Sequence, residues 1–272
     1  MNASPRLLEV TDSLTEAGLP FLIMGGHAVR HYGVDRNTFD FDFTVSSDHA
    51  KDLAERLRAT RLFSGLQLVE SVSWRSGDFC RFQIGVLPTG KEEWLEFWFH
   101  NHLLAPFAEL YERREEATEA GRKLCFLSLA DLIRSKETER DDDWSDVRLL
   151  EEVLDQQNLA RATSRSGRVL ALSQLRTRRG FERGERQRLF VDPDALGEGL
   201  TRARHPVTCA YLLPFLPGAQ GFSPRLDPAV DAVLRRVAPG TARHLALVEA
   251  VRLAYQRAAK EADRADKERH GK

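Results

Sequence analysis

Cysteine is scarce: Cys80, Cys125 and Cys209 are the three in 272 residues. They lie far apart, form no CxxC pair and leave an odd thiol, which argues against a disulfide framework or a cysteine-built zinc site. Such usage fits a reducing cytosol, so a cytoplasmic location is expected. No apolar run approaches the roughly 20 residues of a membrane span. The opening MNASPRLLEV lacks the apolar core of a signal peptide. No internal repeat is visible.

Net charge is also nearly missing, at −1, but the balance hides an asymmetry. Residues 158–272 carry 22 Lys+Arg and 12 Asp+Glu, leaving 18 and 29 for residues 1–157. The first part stands near −11 and the second near +10. Opposite signs suggest two jobs, or two parts that attract each other. With 42% hydrophobic residues the chain can bury a sizeable core.

Hydrophobic periodicity predicts a helix over 4–18, a buried strand over 21–24 ending at Gly25-Gly26, and a short helix over 28–32. A second strand is expected over 39–45 and a helix over 48–62. Strands follow over 66–73, 79–86 and 94–99, with a turn at Ser76-Gly77 and a short edge strand over 124–127. Ser128 is expected to cap a helix carrying Leu129, Leu132 and Ile133, and another helix to run over 142–154. Beyond about residue 158, strand-like alternation disappears. Helices are expected near 189–204, 227–238 and 241–262, with a loop over 214–224 and a fraying charged tail over 260–272. The fold class is α+β: a mixed sheet flanked by helices in a catalytic domain, 1–157, followed by a mostly helical, basic C-terminal domain, 158–272.

The chemistry concentrates between Met24 and Asp42. Gly25-Gly26 joins a strand to a helix; glycine lets backbone approach a ligand closely, and a helix start favours phosphate. In Asp40-Phe41-Asp42, strand alternation puts both carboxylates on one face and Phe39, Phe41 and Phe43 on the other. Carboxylates side by side repel, and without a cation at least one is driven toward protonation. Oxygen-only ligands with room for water and phosphate suit Mg²⁺. Alone, the glycine turn is often only a turn and the acid pair only a polar strand face.

The combination GGHAVxxxGxxRxTxDxD over residues 25–42 resembles the nucleotidyltransferase superfamily, the fold shared by DNA polymerase β-like enzymes. Locally it is similar to the branch of AbiEii-type toxin nucleotidyltransferases, and the resemblance covers roughly residues 20–146. It implies a third acid on a later strand. Glu96, in Trp94-Leu95-Glu96-Phe97-Trp98-Phe99, alternates away from its apolar neighbours and takes that place, although the family often has Asp there. Glu92, Glu93 and Asp78 are backup candidates. His27 stands where many relatives have Ser and could donate a ring N–H to phosphate or simply pack. Arg36 and Thr38 could steady the phosphates or the strand. Lys136 and Arg140 are expected on one helix face, Lys136 touching the nucleotide, while Arg140, Asp143 and Asp146 form a structural ion network. Trp94 and Trp98 could stack a base, though a core or interface role weighs more.

The resemblance therefore implies a nucleotidyltransferase that moves NMP from an NTP to an acceptor hydroxyl. Asp40, Asp42 and Glu96 would serve as catalytic residues and metal ligands for two Mg²⁺ ions. Gly25, Gly26, His27, Arg36, Thr38 and Lys136 would bind the nucleotide. The acceptor stays open. The arginines Arg161, Arg165, Arg168, Arg176, Arg178, Arg179, Arg183, Arg186 and Arg188 could neutralise RNA, or could dock on the acidic part of the chain. The toxin branch implies a tRNA 3′ end and an antitoxin partner. A small molecule, as for antibiotic-modifying nucleotidyltransferases, or a protein side chain is an alternative acceptor; a nucleotide-binding module without turnover is a third reading.

Overall fold

The computed structural model describes residues 3–72, 78–138, 140–212 and 215, and scattered positions between 250 and 268. The turn expected at Ser76-Gly77, the loop 214–224 and the helix 227–238 fall outside the described residues, apart from Phe215, and so does most of 241–272. Two compact units are present: residues 1–136 with 259–272, and residues 137–258. The compositional boundary at 157/158 falls inside a single long helix, Asp141–Arg161.

The first unit is built on a seven-stranded mixed sheet in the order β3-β4-β5-β2-β1-β7-β6. Its strands are β1 (Phe21–Ile23), β2 (Phe41–Val45), β3 (Leu68–Val72), β4 (Phe79–Val86), β5 (Glu92–Trp98), β6 (Glu115–Glu119) and β7 (Arg122–Phe126). β2 runs parallel to β5, and β1 parallel to β7; the remaining pairs are antiparallel. The strand expected near 124–127 is flanked on both sides, because the polar segment 115–119 supplies the edge strand β6.

Alternation decides what the sheet buries. Phe41, Phe43 and Val45 of β2 and Leu95 and Phe97 of β5 are at most 3% exposed. Phe43 stacks on Phe97 at 5.7 Å between ring centroids. Helix α1 (Pro5–Glu16) contributes the buried stripe Leu7, Val10 and Leu14 and is capped by Ser4, whose Oγ accepts from the Leu7 amide. Arg6 of α1 donates to Glu93 Oε2 (Nη2, 3.2 Å), tying α1 to the edge of β5. Helix α2 (Gly25–His31) starts at the glycines themselves. The expected helix 48–62 is shorter: a 3-10 turn at Ser47–His49, then α3 (Leu53–Arg58). Helix α4 (Phe107–Glu112) was not foreseen. Helix α5 (Leu129–Ser135) is capped by Ser128 as expected.

The second unit contains α6 (Asp141–Arg161), α7 (Arg165–Gln174), α8 (Arg178–Arg186), α9 (Pro193–Arg202) and α10 (Pro206–Leu212). Its core joins Leu159, Val169, Leu172, Leu175, Phe181, Leu196, Leu200 and Leu212. Helix α9 lies close on α7 because Gly199 presents no side chain; a Cβ there would fall 2.7 Å from Leu172 Cβ.

Candidate active site

Asp42 and Glu96 are register partners on the parallel strands β2 and β5. Both project from the face opposite Phe41, Phe43, Leu95 and Phe97, as alternation requires. Burial first, then the Asp42 carboxylate, pushes Glu96 up to about 8, and the two side chains share a hydrogen bond. Adjacent acids repel in this way, each disfavouring the other's charged form.

Asp40 lies just before β2 rather than within it, so it stands outside the ladder that fixes Asp42 and Glu96. Its Oδ1 is buried and accepts no hydrogen bond from the described residues. Among the described residues no group of three or more His, Cys, Asp or Glu side chains is gathered to hold a metal ion. Asp42 and Glu96 are hydrogen-bonded to each other, and Asp40, on the irregular segment before β2, acts on Glu96 through its charge. The donor set still fits a hard cation. It is all oxygen, it repels itself, and Asp40 leaves a buried acceptor unused, a costly state for a polar atom.

The glycines earn their place by proximity. Gly25 has a φ of +58°, the left-handed region, and a Cβ there would meet Asp42 Oδ2 at 1.8 Å. The Met24 amide donates to the Asp42 carbonyl (2.9 Å), locking this approach. A Cβ on Gly26 would meet Thr38 Oγ1 at 2.3 Å. Thr38 in turn donates to the Asp40 carbonyl at 3.4 Å, within the segment leading into β2.

Two expectations need correction, on Phe39 and on Lys136 with Arg140, while His27 takes the packing alternative. His27 is 7% exposed, and its ring stacks on Phe41 at 4.9 Å, on the core side of β2 rather than the acid side. Burial lowers it to about 4, so it is neutral at physiological pH. Phe39 is 39% exposed because β2 begins two residues later; Lys91 Nζ stands 4.3 Å over its ring. Lys136 and Arg140 do not share a helix face, since α5 ends at Ser135 and α6 begins at Asp141.

Lys136 closes α5 and is 7% exposed. Arg36 is partly exposed on the segment before β2. Glu93 pairs with Arg6 across to α1. Arg140 pairs with Asp143 (2.7 Å), which also accepts from Thr138 Oγ1 (2.6 Å), fastening the start of α6 as a structural ion network.

Sequence reasoning missed Arg81. It is the antiparallel partner of Glu96, with Nη1 3.8 Å from Glu96 Oε1 and its guanidinium 4.1 Å over the Trp94 ring. Only the strand register brings it there. Trp98, on the same face, stacks on Phe79 at 4.9 Å.

The site thus gathers a glycine bend after β1, Asp40 just before β2, Asp42 on β2 and Glu96 on the parallel neighbour β5, within a mixed α+β fold. Solved structures with a similar fold include the lincosamide antibiotic adenylyltransferase LnuA with lincomycin bound (15% identity, TM-score 0.39, 56% of this chain and 99% of that one). ANT(2")-Ia in complex with adenylyl-2"-tobramycin is another (20%, 0.39, 57% and 92%). A third is an antigenic nucleotidyltransferase-like protein from Paracoccidioides brasiliensis (15%, 0.39, 76% and 98%). No family model and no curated protein matches the chain.

Proposed function

We propose that the protein transfers a nucleoside monophosphate from an NTP to an acceptor hydroxyl, with Asp40, Asp42 and Glu96 holding magnesium. The observation that carries this reading is the Asp42–Glu96 pair beside Gly25. Adjacent acids forced together next to a side-chain-free bend form a place for a cation and a polyphosphate.

Magnesium bound there supplies charge neutralisation and lowers the pKa of the acceptor hydroxyl. The chain's own residues do the rest. Gly25 and Gly26 let the polyphosphate approach the backbone. Asp42 and Glu96 are held in register by the β2–β5 ladder, so their spacing is fixed before substrate arrives. Thr38 steadies the Asp40 segment. Lys136 and Arg36 are assigned to the polyphosphate as its cations. The carboxylate of Asp40 or Asp42 can accept the acceptor's proton.

RNA, and a tRNA 3′ end with an antitoxin partner, is the acceptor that the sequence resemblance implies. Exposed Arg161, Arg183, Arg186 and Arg188 favour it. Against it, Arg165 pairs with Glu198, Arg176 with Glu151, Arg178 with Glu182 and Arg179 with Glu152, so part of the basic segment is neutralised within its own unit.

The test is incubation with each α-labelled NTP, magnesium and cell lysate. Wild type is expected to transfer label and release pyrophosphate, with Asp40→Asn and Asp42→Asn at least 100-fold slower while still folded. An Asp42→Asn protein that transfers label at the wild-type rate would show the reading to be wrong.

A further inference from the structure

The strand order arranges the site as a row. Crossing the sheet from β1 to β4, one meets Gly25-Gly26, then Asp40 and Asp42, then Glu96, then Arg81. Neighbouring strands stand about 4.8 Å apart, so Arg81 is roughly three spacings from the glycine bend. Resting on the nucleotidyl-transfer reading, the polyphosphate lies at the glycine end. In-line displacement puts the attacking oxygen opposite the departing pyrophosphate. The P–O bond to the acceptor forms as the bond to pyrophosphate breaks, and the hydroxyl proton passes to a carboxylate. The acceptor must therefore arrive from the Arg81 end.

That end is basic and aromatic. The Arg81 guanidinium stands 4.1 Å over the Trp94 ring centroid, and its side chain is 33% exposed. Stacking holds a planar guanidinium in a fixed orientation, which suits recognition of carboxylate or phosphate. Glu92 is exposed and lies farther along β5.

We infer that the acceptor carries an anionic group, a phosphate or carboxylate near its reacting hydroxyl, which Arg81 binds over Trp94. A polycationic acceptor would meet like charge there.

The experiment uses the full chain with magnesium and three acceptor probes: mixed RNA, a nucleoside 5′-monophosphate and a polycationic aminoglycoside. Wild type is expected to label an anionic probe, RNA or mononucleotide, and that outcome tells the two sources apart. Arg81→Gln is expected to raise the acceptor KM at least tenfold with the NTP KM within twofold, and Arg81→Lys to recover part of the loss. Binding of both anionic probes is also measured without NTP, where Arg81→Gln is expected to weaken whichever probe is labelled. Labelling of the aminoglycoside alone overturns the inference while leaving nucleotidyl transfer standing. So does an Arg81→Gln protein whose acceptor KM and anion binding are unchanged. Wild type that binds NTP but releases no pyrophosphate with any probe overturns the transfer reading. In that case anion binding unchanged by Arg81→Gln removes the Arg81 assignment as well, and weakened binding upholds it.

Discussion

Replacing Gly25 by alanine asks for space already filled by Asp42 Oδ2 and for a left-handed backbone at an L-residue. The expected outcome is a loss of about 1–2 kcal/mol in unfolding free energy from the backbone alone, and loss of transfer because Asp42 is displaced. Thermal unfolding with the label-transfer assay checks both. His27 offers a pH test. Its pKa is lowered from 6.5 to about 4, so its contribution to stability is intact above 6.5 and is lost as pH falls toward 4. The full effect is on the order of 3 kcal/mol. Denaturant unfolding of His27→Gln is expected to lose this slope between pH 6.5 and 4; an unchanged slope would remove the explanation. At this scale the sequence exposed Asp42 and Glu96 because alternation on strands is local. It hid Arg81, whose place depends on which strand pairs with β5, and it left the partner of His27 open, because Phe41 meets that ring only in the tertiary fold.

Strand β5 was readable because an acid between Leu95 and Phe97 has one sensible face. Strand β6 was not, because Glu115–Glu119 is polar and gains its place only by pairing with β7. The start of β2 shifted for a related reason: pairing with β5 begins at Phe41, so Phe39 has no ladder and is left outside the core. Helix α8 shows a different device. Asp155 of α6 accepts from the Thr177 amide (2.8 Å), Thr177 Oγ1 (2.7 Å) and the Arg176 amide (3.1 Å), holding the turn before α8. A Cβ on Gly180 would meet Asp155 Oδ2 at 2.0 Å, so that glycine admits the carboxylate. Asp155→Ala leaves these buried donors unpaired and is expected to cost about 2–4 kcal/mol, measured by denaturant unfolding. A cost under about 0.5 kcal/mol would mean water replaces the carboxylate.

The whole molecule divides its tasks. The first unit carries the acids and glycines, and the second is a helical unit whose arginines are partly spent on its own carboxylates. Burial pushes Glu151 up to about 7 and Asp155 up to about 6. Each folded carboxyl binds protons more tightly than the unfolded chain, so this contribution rises as pH falls from about 7 toward 4.5. Glu151→Gln is expected to flatten that part of the pH dependence, opposite in sign to the His27 effect in the first unit. The charge asymmetry along the sequence changes sign near residue 158, inside the continuous helix α6, so composition does not coincide with an element boundary. Among the described residues no helix is long and apolar enough to cross a membrane.

The central claim is that Asp40, Asp42 and Glu96 hold a divalent cation beside the glycine bend. Crystals grown with Mn²⁺ and a non-hydrolysable NTP analogue test it directly through anomalous scattering. Manganese is expected within about 2.5 Å of Asp42 and Glu96 carboxylate oxygens, with Asp40 drawn in and the polyphosphate against Gly25-Gly26. Manganese bound elsewhere, with the Asp42–Glu96 hydrogen bond intact, would contradict it.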